Sequence, residues 1–87
     1  MSSPLKDRIR AILKTAGCLQ NGAETLGEAA DLHAAGLTSH ATVSLMLAIE
    51  EAFDVEFPDR LLRRRTFSSI DAIGDALGEI GVRDEAA

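Results

Sequence analysis

An all-α domain is the fold class that this sequence predicts, and three observations carry the prediction. Aromatic residues make up 3% of the chain, three Phe with no Trp or Tyr, whereas Ala, Leu, Ile and Glu are plentiful, a mixture that favours helices over strands. Apolar residues recur at spacings of three and four in separate stretches, the period of a helix with one buried face. Hydrophobic residues at 46% and charged residues at 26% match globular usage, so the chain folds rather than remaining disordered. With 87 residues it has material for one core, and a single domain over residues 1–87 is expected.

The first helix follows from Leu5, Ile9, Ile12, Leu13 and Ala16, which form one stripe between Leu5 and Leu19. Ser2 or Ser3 can cap it, Pro4 suits the first helical position and Gly17 suits the stop. A long connection, Gln20 to Thr38, holds Gly22, Gly27 and Gly36 and the apolar anchors Leu26, Leu32 and Leu37.

The second helix is expected from about Ser39 to Phe53. Leu45, Ile49 and Phe53 follow one another at four-residue spacing and face a core, while His40, Val43 and Leu47 form a neighbouring stripe. That second stripe is either a docking face or a second buried side. After Pro58, Asp59 to Arg64 reads as a short helix or turn containing Leu61 and Leu62. Ser68-Ser69-Ile70-Asp71 offers a capping box for a last helix whose stripe is Ile70, Ile73, Ala76, Leu77 and Ile80, with Gly81 as its stop and Arg83 to Ala87 as a frayed tail.

Composition excludes several functions. Fourteen Asp and Glu against nine Lys and Arg, net charge -5, repel a phosphate backbone, and no aromatic platform is present for stacking bases, so nucleic acid is not an expected partner. Cys18 is alone, which rules out an internal disulfide and suits a reducing compartment; one Cys with two His has no metal-finger spacing, so no metal is expected. Met1 to Arg10 lacks an apolar leader segment and no apolar run is long enough to cross a bilayer, which points to a cytoplasmic protein off the membrane. There is no Gly-rich phosphate loop and no paired carboxylates in a pocket-forming context. Ser39 and His40 are consecutive on a helix and do not face each other, so they form no catalytic dyad. Neither an enzyme nor any catalytic residue is expected.

The stretch from Gly36 to Leu45, Gly-Leu-Thr-Ser-His-Ala-Thr-Val-Ser-Leu, followed by Glu50-Glu51-Ala52-Phe53-Asp54-Val55-Glu56-Phe57-Pro58-Asp59, resembles the acyl carrier protein family. A serine opens an apolar helix, a Gly-containing loop beginning Asp31-Leu32 precedes it, and Glu-Glu-x-Phe-x-x-x-Phe-Pro-Asp closes it. The resemblance implies a four-helix bundle with a long first loop and a short third helix. It also implies a 4'-phosphopantetheine arm, taken from coenzyme A and joined by a phosphodiester to a serine that by position is Ser39. The residues themselves leave open whether Ser39 or Thr38 merely caps the helix, although a helix N-terminus suits an attached anion. The family's usual Asp-Ser-Leu reads Thr38-Ser39-His40 here: Thr38 keeps a capping oxygen without the carboxylate, and His40 places an imidazole where an apolar residue docks.

Charge is segregated along the chain. From Thr15 to Asp59 there is no Lys or Arg, while Arg60, Arg63, Arg64 and Arg65 crowd into the next six residues. Carrier proteins resemble this in presenting an acidic second helix to basic partners, a device that raises on-rate. Thr38, His40, Val43, Leu47, Glu50 and Glu51 are the expected reading surface, with Arg63 and Arg64 as a further contact. The Arg cluster as a whole reads either as pairing within the chain, against Asp54, Glu56 or Asp59, or as that partner contact. Cys18 reads as a small buried hydrophobe, and His33 receives no role.

The expected function is a discrete carrier holding an amino acid or acyl group as a thioester on the arm. Patterns such as Ala-Gly-Leu-Thr-Ser, Met-Leu-Ala-Ile-Glu-Glu and Phe-Pro-Asp-Arg-Leu-Leu are similar to small bacterial carriers, some of them charged with amino acids. The implied partners are a phosphopantetheinyl transferase, a cargo-loading ligase and a downstream acceptor enzyme. The alternative is a carrier-like adaptor module without a prosthetic group.

Overall fold

A computed structural model describes residues 4–16 and 26–82. Ser2, Ser3, Gly17, Cys18 and the tail from Arg83 to Ala87 lie outside the described residues. The described chain is helical: α1 (Pro4–Thr15), α2 (Ser39–Phe53) and α3 (Ile70–Glu79), with two short 3-10 turns, Asp59–Leu61 and Arg64–Phe67, between α2 and α3. Its core is one cluster to which every segment contributes: Leu5, Ile9 and Leu13 of α1, Leu32 and Leu37 of the connection, Leu45 and Ile49 of α2, and Ile70, Ile73, Ala76 and Leu77 of α3.

The short third element takes 3-10 form because its apolar residues do not make a helical stripe. Leu61 and Phe67 are buried, and Leu62 between them is exposed, so two tight turns present the first pair inward. Phe67 meets Phe57 edge to face at 5.3 Å, which fixes this segment over the end of α2.

The boundaries of α2 have local causes. Thr38 is its N-cap, with Oγ1 accepting from the Ala41 amide at 3.0 Å. At the other end Asp54 adopts the left-handed conformation at φ 53°, and the Glu50 carbonyl accepts from the amides of Asp54 and Val55. The Glu50 carboxylate then accepts from the Phe57 amide at 2.8 Å, folding the segment that leaves the helix back on it.

For α3 the cap is Ser69, whose hydroxyl accepts from the Ala72 amide at 3.0 Å, rather than Ser68, which donates to the Arg65 carbonyl. The capping box therefore does not close: Asp71 stands one position too early and turns to the Lys6 ammonium, 2.8 Å away on α1. Lys6 also lies 3.6 Å from Glu28, and the hydrogen bond to Asp71, with both carboxylates nearby, raises its pKa above the usual lysine value. Gly81 ends α3 at φ 101°, where a side chain would be strained; Val82 bonds back to Leu77 and Gly81 to Gly78. Arg8 ties α1 to the end of α2, donating to the Ala52 carbonyl at 3.0 Å and lying 4.2 Å from the centre of the Phe53 ring.

Candidate functional site

The connection into α2 is a tight structure. Asp31 Oδ1 accepts from the amides of His33 and Ala34, the Leu37 amide bonds to the Leu32 carbonyl, and Gly36 turns the chain at φ 116°. Leu32 and Leu37 are thereby both buried, and Thr38 and Ser39 emerge at the surface. Two further bonds fasten the connection to the start of α3: the Leu32 amide to the Ser68 carbonyl at 2.7 Å and the Asp71 amide to the Glu28 carbonyl at 2.9 Å. Arg10 holds the connection at Leu26 by donating to its carbonyl.

Capping is the work of Thr38, and Ser39 is exposed at the first position of α2 with its hydroxyl unbonded among the described residues. The amides of Ser39 and His40 have no chain partner there either, as expected for the first turn of a helix. Thr42 spends its hydroxyl on the Thr38 carbonyl at 2.8 Å. A hollow of about 230 Å³ opens beside Ser39, lined by His33, Thr42 and Arg64.

His33, which the sequence left without a role, bridges two segments: Nδ1 lies 3.3 Å from the Leu37 carbonyl oxygen and Nε2 lies 3.1 Å from that of Arg64. Both ring nitrogens face acceptors, so neither presents a lone pair to the Ser39 hydroxyl, and the pair does not form a nucleophile and base. The sequence signal for this bridge was only a histidine six residues before the helix; its second partner lies 31 residues away.

The stripe His40, Val43 and Leu47, with Glu51, points away from the core. On an α-helix these four fall within about 80° of arc, opposite Leu45 and Ile49. Val43 and Leu47 are 53% and 55% exposed, whereas Leu45 and Ile49 are fully buried, so the second stripe is a free face and not a second buried side. Glu51 is exposed on that face, while the Glu50 carboxylate is occupied by the Phe57 amide. Next to it lies a mainly apolar groove of about 350 Å³, lined by Thr42, Val43, Met46, Leu62 and Phe67 and flanked by Arg63 and Arg64.

The arginines divide. Arg60 pairs with Glu79 of α3 at 2.8 Å, a different partner from the Asp54, Glu56 or Asp59 expected from proximity in sequence. Arg63, Arg64 and Arg65 are exposed, with no ion pair among the described residues. No group of His, Cys, Asp and Glu among the described residues could hold a metal, and no described helix is long and apolar enough to cross a membrane.

A bare hydroxyl at the mouth of a helix, with unpartnered amides and an arginine on the same hollow, is chemically suited to an attached anionic group. The chain belongs to the family described by its phosphopantetheine attachment site, whose model matches residues 6–77, and 4'-phosphopantetheine is that family's prosthetic group. The family is not catalytic. The chain is 54% identical to an aminoacyl carrier protein of Agrobacterium fabrum over 79 residues, 91% of this chain and 95% of that one. The carrier protein of Agrobacterium tumefaciens, solved in complex with an engineered Bradyrhizobium japonicum glycine:[carrier protein] ligase and ATP, is similar at a TM-score of 0.84 and 53% identity, over 87% of this chain and 99% of that one. The corresponding complex with AMP gives a TM-score of 0.80 at 53% identity, over 84% of this chain and 97% of that one.

Proposed function

We propose that the protein is an aminoacyl carrier in which Ser39 bears the 4'-phosphopantetheine arm. The observation that carries this reading is the division of labour at the start of α2: Thr38 caps the helix, so the exposed Ser39 hydroxyl has no structural task. The arm's terminal thiol holds the amino acid as a thioester, and the domain supplies attachment and a surface that partners read. Those partners are a phosphopantetheinyl transferase, a cargo-loading ligase and a downstream acceptor enzyme. Support for the ligase comes from the relative of 53% identity that is bound to a glycine:[carrier protein] ligase, which makes glycine the first cargo to test. Val43, Leu47, Glu51 and His40 form the surface on which such a ligase docks, with Thr38 at its edge and Arg63 and Arg64 across the groove. Glu50 contributes by holding the end of α2 in shape.

The test is intact-mass analysis after incubation with coenzyme A and a broad-specificity transferase, beside Ser39→Ala, followed by loading with glycine and ATP by the ligase. A single phosphopantetheine addition, absent from Ser39→Ala and then acylated by glycine, is the expected result. Addition to Ser39→Ala overturns the attachment residue, and a holo protein that accepts fatty acyl groups but no amino acid overturns the cargo. A protein that stays bare under conditions that modify a control carrier, and is bare when purified from cells, returns the adaptor alternative.

A further inference from the structure

We infer that Arg64 is a positioning residue for the arm: its guanidinium holds the phosphodiester on Ser39 and sets the direction in which the arm leaves the domain. The inference rests on the reading that Ser39 bears the arm. Ser39 and Arg64, 25 residues apart in sequence, line the same hollow of about 230 Å³. The backbone of Arg64 lies against the turn that leads into α2, with His33 Nε2 3.1 Å from its carbonyl oxygen and Nδ1 3.3 Å from that of Leu37. The carbonyl is used for holding the backbone, which leaves the side chain unspent: Arg64 is exposed and makes no ion pair among the described residues.

Alternatives within the hollow are weaker. Thr42 donates its hydroxyl to the Thr38 carbonyl, and both His33 nitrogens face carbonyls. No Lys or Arg occurs between Thr15 and Asp59, and among the described residues Arg64 is the one Lys or Arg that lines the hollow. Of the neighbouring arginines, Arg60, Arg63 and Arg65 line a separate cavity of about 420 Å³ against α3 and Arg63 also flanks the groove beside Val43, but none of the three lines the hollow at Ser39. A phosphodiester presents two non-bridging oxygens sharing one charge, which a guanidinium fork matches and an ammonium meets only as a point charge.

The experiment uses the holo protein and its unmodified form, both labelled with nitrogen-15, and reads the arginine Nε–Hε signals with the phosphorus resonance of the arm. Modification of Ser39 is expected to move the Arg64 Nε–Hε signal and leave those of Arg60 and Arg65 in place. Arg64→Gln is expected to shift the phosphorus resonance, Arg64→Lys to shift it less, and Arg65→Gln to leave it unchanged. The difference between wild type and Arg64→Gln is expected to collapse in about 1 M salt, where the screening length falls to about 3 Å. An Arg64 signal indifferent to modification, with the same phosphorus shift in Arg64→Gln, overturns the inference and leaves the attachment reading standing. Absence of any phosphodiester resonance and of any added mass overturns both.

Discussion

Substituting Val43→Ser and Leu47→Ser together separates recognition from folding on α2. Each side chain keeps about half of its surface in water, at 53% and 55% exposure. Complete burial of a side chain of this kind is worth about 1.5–3 kcal/mol, so covering the exposed half under a partner contributes about 0.8–1.6 kcal/mol each. The pair together gives about 1.6–3.2 kcal/mol, which is about 15- to 200-fold in Kd. The fold itself loses less than a core change, because each surface substitution stays within about 0.5 kcal/mol and the pair within about 1 kcal/mol. That lowers the melting temperature of a domain this size by at most about 4–8 °C. Leu45→Ala, on the opposite side of the same helix, costs about 2–5 kcal/mol of stability because it opens a cavity in the core. Calorimetric titration of the holo protein with a glycine:[carrier protein] ligase, beside thermal melts of each variant, measures both quantities. An affinity within twofold of wild type in a double variant that melts normally refutes the docking assignment. A double variant that melts like Leu45→Ala refutes the claim that this face is free.

Two further outcomes follow from the termini of the helices. Asp54→Gly relieves about 1 kcal/mol of left-handed strain at φ 53° against about 0.5 kcal/mol of added chain entropy in the unfolded state, so a melting temperature raised by about 2–4 °C is expected by calorimetry. Lys6→Met removes the contact to Asp71 and lowers the urea midpoint at neutral pH. Because the folded-state pKa of Lys6 lies above the ordinary lysine value of 10.5, its contribution is complete below that pH and disappears as pH rises through the raised value. The gap between wild type and Lys6→Met is therefore expected to stay constant from pH 7 to 10 and to close above 10.5.

What the sequence revealed was whatever depends on local period or local chemistry. The span of α2, the inward stripe of Leu45 and Ile49, the anchors Leu32 and Leu37 and the stop at Gly81 all follow from spacing or backbone freedom within a few residues. The serine at the helix mouth was legible for the same reason, although either hydroxyl satisfies the pattern of a cap and only the folded backbone, with the Ala41 amide on Thr38 Oγ1, distinguishes them. What stayed hidden was decided by distant partners. Asp71 has the composition of a capping residue and is drawn to Lys6, 65 positions earlier; Arg60 has acidic neighbours and pairs with Glu79. His33 carries no local pattern, because one of its two acceptors belongs to the 3-10 turn that starts at Arg64. The short third element took two 3-10 turns because Pro58 and a run of arginines leave too few apolar residues for a helical stripe.

The two sides of α2 draw on disjoint sets of residues, and that separation bears on how such a protein changes over generations. On the docking assignment proposed above, substitutions at 43, 47 or 51 are expected to alter partner recognition without passing through an unfolded intermediate, whereas those at 45 and 49 are filtered by folding before any partner is met. Glu50 is where the two constraints meet, since its carboxylate holds the Phe57 amide while its position borders the exposed face. Lineages that change partners are thus expected to vary freely at positions 43, 47 and 51 and to change Glu50 only with a compensating change at the end of the helix.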